Sequence, residues 1–207
     1  MASTQGKDTF EYCALRYLHQ WLRKEQTHYL RVRQVEPKLD YLRAALSYFM
    51  IARNFRGLDK EPRARVVRGK LLEVRAQSGL SVEQKVSALA RFYEKAGFRY
   101  NVSAASKLLW LSNRKPIIYD ARAFDALRDV FGHEGRRGDY GAYCKSWKKA
   151  YKENKQAILD AAIRLPKIRA FLPADAPDDD RLLALVQRPW FTERVFDIYL
   201  WELGGDD

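Results

Sequence analysis

The chain has 207 residues, 47% of them hydrophobic, with 38 Lys and Arg against 26 Asp and Glu, a formal charge of +12. That apolar content can bury a sizeable core, which excludes a disordered basic tail, and no apolar run reaches the ~18 residues needed to span a bilayer. The charge excess points to a polyanion as partner, with nucleic acid the leading class.

The N-terminal MASTQGKDTFEY carries no apolar signal core, and two cysteines, Cys13 and Cys144, are too few for a disulfide scaffold. A cytoplasmic setting is therefore expected. From there the periodicity is helical. Residues 9–24 place Phe10, Cys13, Tyr17, Leu18 and Trp21 near a 3.6-residue spacing. Residues 37–54 predict a helix with Pro37 in its first turn. Residues 61–77 predict a basic amphipathic helix closed by Ser78-Gly79. Ser81 and Gln84 form a capping box for a helix to about Ala96. A short break leads to a helix from about Ser103, the residues NRKP interrupt it, and a further helix begins at about Asp120. Gly135 to Gly138 predict a basic loop before a long helix over 139–164, with Tyr140, Tyr143, Trp147, Tyr151, Ile158 and Ala161 on one face. ADAPDDD reads as an acidic linker, and the last helices cover 180–187 and 190–203. The one β-like run, residues 116–119, is too short to found a sheet. These elements predict an all-α fold: a two-lobed helical bundle of about eight to ten helices, with residues 1–207 as a single domain whose lobes share a core and whose cleft lies near 100–137.

The most informative stretch is ALARFYEKAGFRYNVSAASKLLWLSNRKPIIYDARAFDAL, residues 88–127. It reads as helix, short turn, helix, extended segment, then an aspartate at a helix start. Over these 40 or so residues it resembles the core of the helix-hairpin-helix DNA glycosylase superfamily. There a hairpin of the type L-P-G-V-G-x-x-T-A precedes a V-D-T-H segment whose aspartate carries the chemistry. The resemblance sets Tyr100, Asn101, Val102 and Ser103 over the glycine-containing turn, Ser106 over the threonine, and Ile118 to Arg122 over the aspartate segment. Both hairpin glycines are replaced: Asn101 tolerates left-handed backbone, Ser103 does so poorly. The spacing to the aspartate is also a few residues shorter than the family's.

What the resemblance implies is a monofunctional DNA N-glycosylase with a degenerate helix-hairpin-helix, acting on double-stranded DNA and needing no metal or other cofactor. Breaking an N-glycosidic bond builds positive charge on the sugar. A carboxylate such as that of Asp120 stabilises the charge and orients the attacking water. The plain alternative is that Asp120 only caps the following helix. The lysine that serves backbone-cutting members as nucleophile falls at Ala105, two residues from Lys107, so Lys107 stands as a possible catalytic or phosphate-contacting group. The base is a cellular lesion or a modified base of foreign DNA such as a phage's, so base excision in repair and anti-phage defence both remain open.

An enzyme of this class flips its base into a pocket, for which Tyr119, Trp110 and Tyr48, with Phe49, are the candidates. Phosphate contact is expected from Arg99, Asn101, Ser103, Ser106, Arg114, Lys115, Arg122, Arg136 and Arg137, and from Arg53 in the cluster that continues through Arg56, Arg63, Arg65, Arg68 and Lys70. For any one of these the competing reading is a solvated helix face. A second enzymatic reading starts from Arg128 and His133, which resemble the Arg-x4-His motif of metal-free HEPN ribonucleases. A third is a DNA-binding module without activity. His19 and His28 have no carboxylate or Cys companions and do not suggest a metal site. A monomer is expected.

Overall fold

The computed structural model describes residues 5–205, and among them there are ten α-helices and no strand. In chain order they are α1 (Gln5–Gln20), α2 (Gln26–Val32), α3 (Leu39–Tyr48), α4 (Glu61–Ala76), α5 (Val82–Lys95), α6 (Val102–Asn113), α7 (Ala121–Phe131), α8 (Tyr140–Ile163), α9 (Asp179–Val186) and α10 (Pro189–Leu203). A π-helical turn, Trp21–Glu25, joins α1 to α2, and 3-10 turns occupy Ala52–Asn54 and Leu165–Phe171. The all-α expectation holds, and most boundaries fall within two residues of the sequence periodicity.

The first helix starts at Gln5 rather than near residue 9, α2 lies where no element was expected, and both ends of α3 differ. Pro37 lies ahead of the helix it was expected to open, because Lys38 takes the extended N-cap conformation and α3 starts at Leu39. That helix also ends at Tyr48 rather than near residue 54. Met50 adopts a left-handed φ of 54°, and the Ile51 N–H turns back to the Leu46 carbonyl at 3.0 Å. This is a helix stop of the kind usually made with glycine, so the sequence carries no glycine to announce it.

The chain divides into two compact units. One combines Thr27–Tyr119 with Gly135–Cys144. In it α3, α4, α5 and α6 pack on one another around Leu42, Leu46, Val67, Leu71, Leu89, Tyr93, Leu108 and Trp110, all essentially inaccessible. Burial of each such Leu or aromatic contributes about 1.5–3 kcal/mol. The Ser81 capping box is complete, with both reciprocal hydrogen bonds in place. Arg75 closes the end of α2 by donating to the carbonyls of Val32, Arg33 and Gln34.

The other unit combines the described residues up to Gln26 with Asp120–Glu134 and the chain from Lys145 onward. Here α10 packs against α1, α7 and α9. Tyr17, Leu18, Trp147, Ile158, Phe191, Val195, Phe196 and Leu200 form the core. Within it lies a charged cluster. Arg194 donates to both oxygens of Glu25, at 3.4 and 3.3 Å, and to Asp197 at 2.9 Å. Tyr17 donates to Glu25 at 3.0 Å and Trp147 Nε1 to Asp197 at 2.8 Å. The pairing offsets the cost of burying three charges, but does not by itself make the network a source of stability.

Candidate functional site

The geometry of the candidate site begins with the α5–α6 hairpin. Its turn runs over residues 96–101, and the left-handed position falls on Gly97, φ 78°, with the Phe98 N–H reaching back to the Tyr93 carbonyl at 2.9 Å. Arg63 stacks its guanidinium over Phe98 at 4.2 Å and donates to the carbonyls of Ala96 and Gly97. Asn101 is therefore not the left-handed residue. At φ −144° it is the N-cap of α6, buried, and its Oδ1 accepts the Ala104 N–H at 2.9 Å. That bond commits the Asn101 side chain, expected to contact a phosphate, to the helix start. Ser103 sits in the first helical turn, where its hydroxyl accepts a hydrogen bond from Lys107 Nζ at 3.0 Å. Lys107 is 6% exposed, its ammonium also 5.7 Å from the Phe49 ring. Ala105 is fully buried.

Ser106 corrects the sequence reading most directly. It is fully buried, so as placed it has no access to a phosphate. Its Oγ donates to the Ser103 carbonyl and accepts the Tyr119 N–H at 3.0 Å. The extended segment before Asp120 is held by side chains of the same unit rather than by a neighbouring strand. Tyr140 donates to the Ile117 carbonyl at 2.6 Å, Tyr143 to the Ile118 carbonyl at 3.1 Å, and Tyr119 Oη accepts the Gly138 N–H at 3.1 Å. This explains why a β-like run of apolar residues forms no sheet.

Asp120 is the first residue of the other unit. It is half-buried, extended, and caps α7 with Oδ1 accepting the Arg122 N–H at 3.1 Å. The cap reading is thus realised. The start of α7 is pinned from behind. A Cβ on Gly204 would lie 2.1 Å from the Arg122 carbonyl oxygen, so the end of α10 approaches the first turn of α7 as only glycine allows. Arg122 is exposed, its guanidinium 4.3 Å over the Trp201 ring. No sequence signal marked Gly204, because a glycine just after a helix reads as an ordinary stop.

The expected pocket aromatics have structural duties. Trp110 is 1% exposed and belongs to the core, so as placed it cannot stack on an incoming base. Tyr119 is 8% exposed, packs on Tyr143 at 4.8 Å and uses its hydroxyl on Gly138. Tyr48 is half-buried, stacked on His28 at 4.8 Å and edge-on to Phe49. Of the expected phosphate contacts, Arg53, Arg56, Arg99, Lys115, Arg136 and Arg137 are exposed. Arg114 is instead held at the left-handed end of α6, φ 57°, its guanidinium 3.7 Å over the Tyr29 ring. Arg63 is committed to the hairpin turn, while Arg65, Arg68 and Lys70 pair with Glu61, Glu36 and Glu73.

The Arg128 and His133 pair separates into two settings. Arg128 is at the surface, bonded to Asp129 at 2.8 Å and facing Asp125 at 3.2 Å. His133 follows the left-handed Gly132 and is buried, with Nδ1 2.8 Å from the Ser146 hydroxyl and the ring edge-on to Phe124 at 5.0 Å. It lies past the end of α7, not in its last turn.

The Glu25, Arg194 and Asp197 cluster escaped the sequence reading. Its one signal was the spacing Glu193, Arg194, Asp197 inside an otherwise apolar helix. Burial is the main cause that raises Asp197 to about 6, partly countered by Arg194 and the Trp147 N–H. Burial, then the nearby Asp197, raises Glu193 to about 7, with Lys155 and Lys148 acting the other way. Among the described residues, no group of three or more His, Cys, Asp or Glu is placed to hold a metal ion, and no helix is long and apolar enough to cross a membrane.

No protein-family model, curated protein or solved structure matches the chain.

Proposed function

We propose that the chain is a monofunctional DNA glycosylase that takes a damaged or modified base out of duplex DNA and hydrolyses its bond to the sugar with Asp120. The observation that carries this reading is the order α5, turn, α6, extended segment, Asp120, with the aspartate at a helix start and the residue before it anchored to α6 through Ser106. Water adds to the sugar C1′ as the C1′–N bond breaks. The bonding electrons leave with the base, which takes up a proton, and the water proton is released toward Asp120. The ionised carboxylate stabilises the positive charge that develops on the sugar. The products are free base and an abasic site, formed without a metal or other cofactor. Modified bases of cellular or foreign DNA are the substrate class, and Arg99, Lys115, Arg136 and Arg137, all exposed, are the phosphate contacts.

The test is incubation with duplexes carrying damaged or modified bases, followed by assay for free base and alkali-labile sites. Release of base that is lost in Asp120→Asn and kept in His133→Ala supports the proposal. Cleavage of RNA lost in His133→Ala, or binding without any released base, rejects it. Borohydride trapping of a covalent DNA adduct rejects the monofunctional form.

A further inference from the structure

Helix α8 carries five lysines that play no part in the Asp120 site: Lys145, Lys148, Lys149, Lys152 and Lys155. At ~100° per residue they fall within an arc of about 120°, and from first to last they rise about 15 Å along an unbroken helix. All five are exposed, and they belong to the same unit. The opposite side of α8, with Trp147, Ala150, Ile158 and Ala161, is buried in the core, which fixes the lysine face outward. Acids near them include Glu153, exposed at the edge of the arc, and Glu193 of α10, which faces Lys148 and Lys155.

We propose that this lysine stripe is a track for the phosphodiester backbone of nucleic acid, with duplex DNA as its ligand. Duplex DNA carries one negative charge per ~1.7 Å of axis over its two strands, so a straight row of ammonium groups about 15 Å long spans about nine phosphate charges, about four or five of them on any one strand. Between Lys145 and Lys155 the exposed positions hold only lysine and Glu153. A helix lying on an anionic membrane needs exposed apolar side chains to insert, and here those are committed to the core. Protein interfaces are depleted in lysine, which argues against an acidic protein as the occupant.

The stripe adds to the glycosylase reading a phosphate track remote in sequence from Asp120, and binding tests it separately from base release. The affinity of the full chain for a short fluorescent duplex is measured between about 50 and 200 mM salt. At about 0.9 per phosphate contact, the variant Lys145→Gln/Lys149→Gln/Lys152→Gln is expected to lower the salt slope by about 2.7 and to bind roughly 10- to 100-fold more weakly at low salt. Replacing the same lysines with Arg should keep the slope, and far-UV circular dichroism checks that each variant is folded. An unchanged slope in the Gln variant overturns the proposal. So does binding to phosphatidylserine vesicles that the Gln variant loses while its duplex affinity is unchanged. If the slope falls but no base is ever released, the stripe stands and the glycosylase reading fails. If Asp120→Asn abolishes base release while the Gln variant keeps its slope, the reverse holds.

Discussion

The Ser106 hydroxyl accepts the backbone N–H of Tyr119 at 3.0 Å, thirteen residues along the chain, inside a fully buried position of α6. This single bond ties the segment that ends at Asp120 to the second helix of the hairpin. Ser106→Ala leaves the Tyr119 N–H without that acceptor. We expect a loss of about 1–3 kcal/mol, the cost of a buried unsatisfied donor, measured by urea denaturation. In the proposed enzyme it should also lower the rate of base release, because Asp120 follows directly. Stability within ~0.5 kcal/mol of wild type would show that the bond is not structural.

Gly204 should tolerate no side chain. A Cβ would lie 2.1 Å from the Arg122 oxygen and 2.7 Å from its carbonyl carbon, both backbone atoms that cannot swing away. Gly204→Ala must push α10 from the start of α7, at a cost on the order of 1–3 kcal/mol for overpacking. Thermal melting reads this. The control is Gly79→Ala, where nothing lies within 4 Å and the melting temperature should hardly change.

The raised carboxyls predict an unusual pH response. Asp197 at about 6 and Glu193 at about 7 hold protons in the folded chain that the unfolded chain has already released. Between roughly pH 4 and pH 7 the native state therefore binds more protons than the unfolded one, and the contribution of these two groups to stability falls as pH rises. Ionising each at neutral pH costs on the order of 1–3 kcal/mol. Glu193→Gln should therefore stabilise the protein at pH 8 and flatten the dependence between pH 5 and 8, as read from denaturation midpoints across that range. Destabilisation at pH 8 would refute this assignment.

Arg194 answers both buried acids of its cluster. Arg194→Met strands Glu25 and Asp197 in the core and should cost about 3–5 kcal/mol. Adding Glu25→Gln and Asp197→Asn should recover part of that loss, since the damage comes from uncompensated charge. Comparing the single variant, the triple variant and Glu25→Gln/Asp197→Asn by chemical denaturation separates this from simple loss of packing.

Much of the fold was legible in local sequence. The Ser81 capping box and Asp120 at the start of α7 each work within one helical turn, which is the range that side-chain spacing reports. What was missed depends on partners far away in sequence. Ser106 matched a phosphate-facing position by spacing, yet its burial is decided by Tyr119. Trp110 looked available for stacking because an aromatic on a helix carries no mark of which side faces the core. Asn101 was expected in the turn itself, whereas Gly97, four residues earlier, takes the left-handed geometry and frees Asn101 to cap. Arg194 could not be recognised as buried without Glu25, 169 residues away and placed on the inner side of a π turn.

The side-chain bonds to residues 117–119 have a further consequence for solubility. Extended backbone with unpaired N–H and C=O groups can pair with a strand of another molecule. Here Tyr140, Tyr143 and Ser106 already take up two of its carbonyls and one of its amides. The run is extended without presenting a ladder, so it offers little free backbone for a strand of another molecule to pair with.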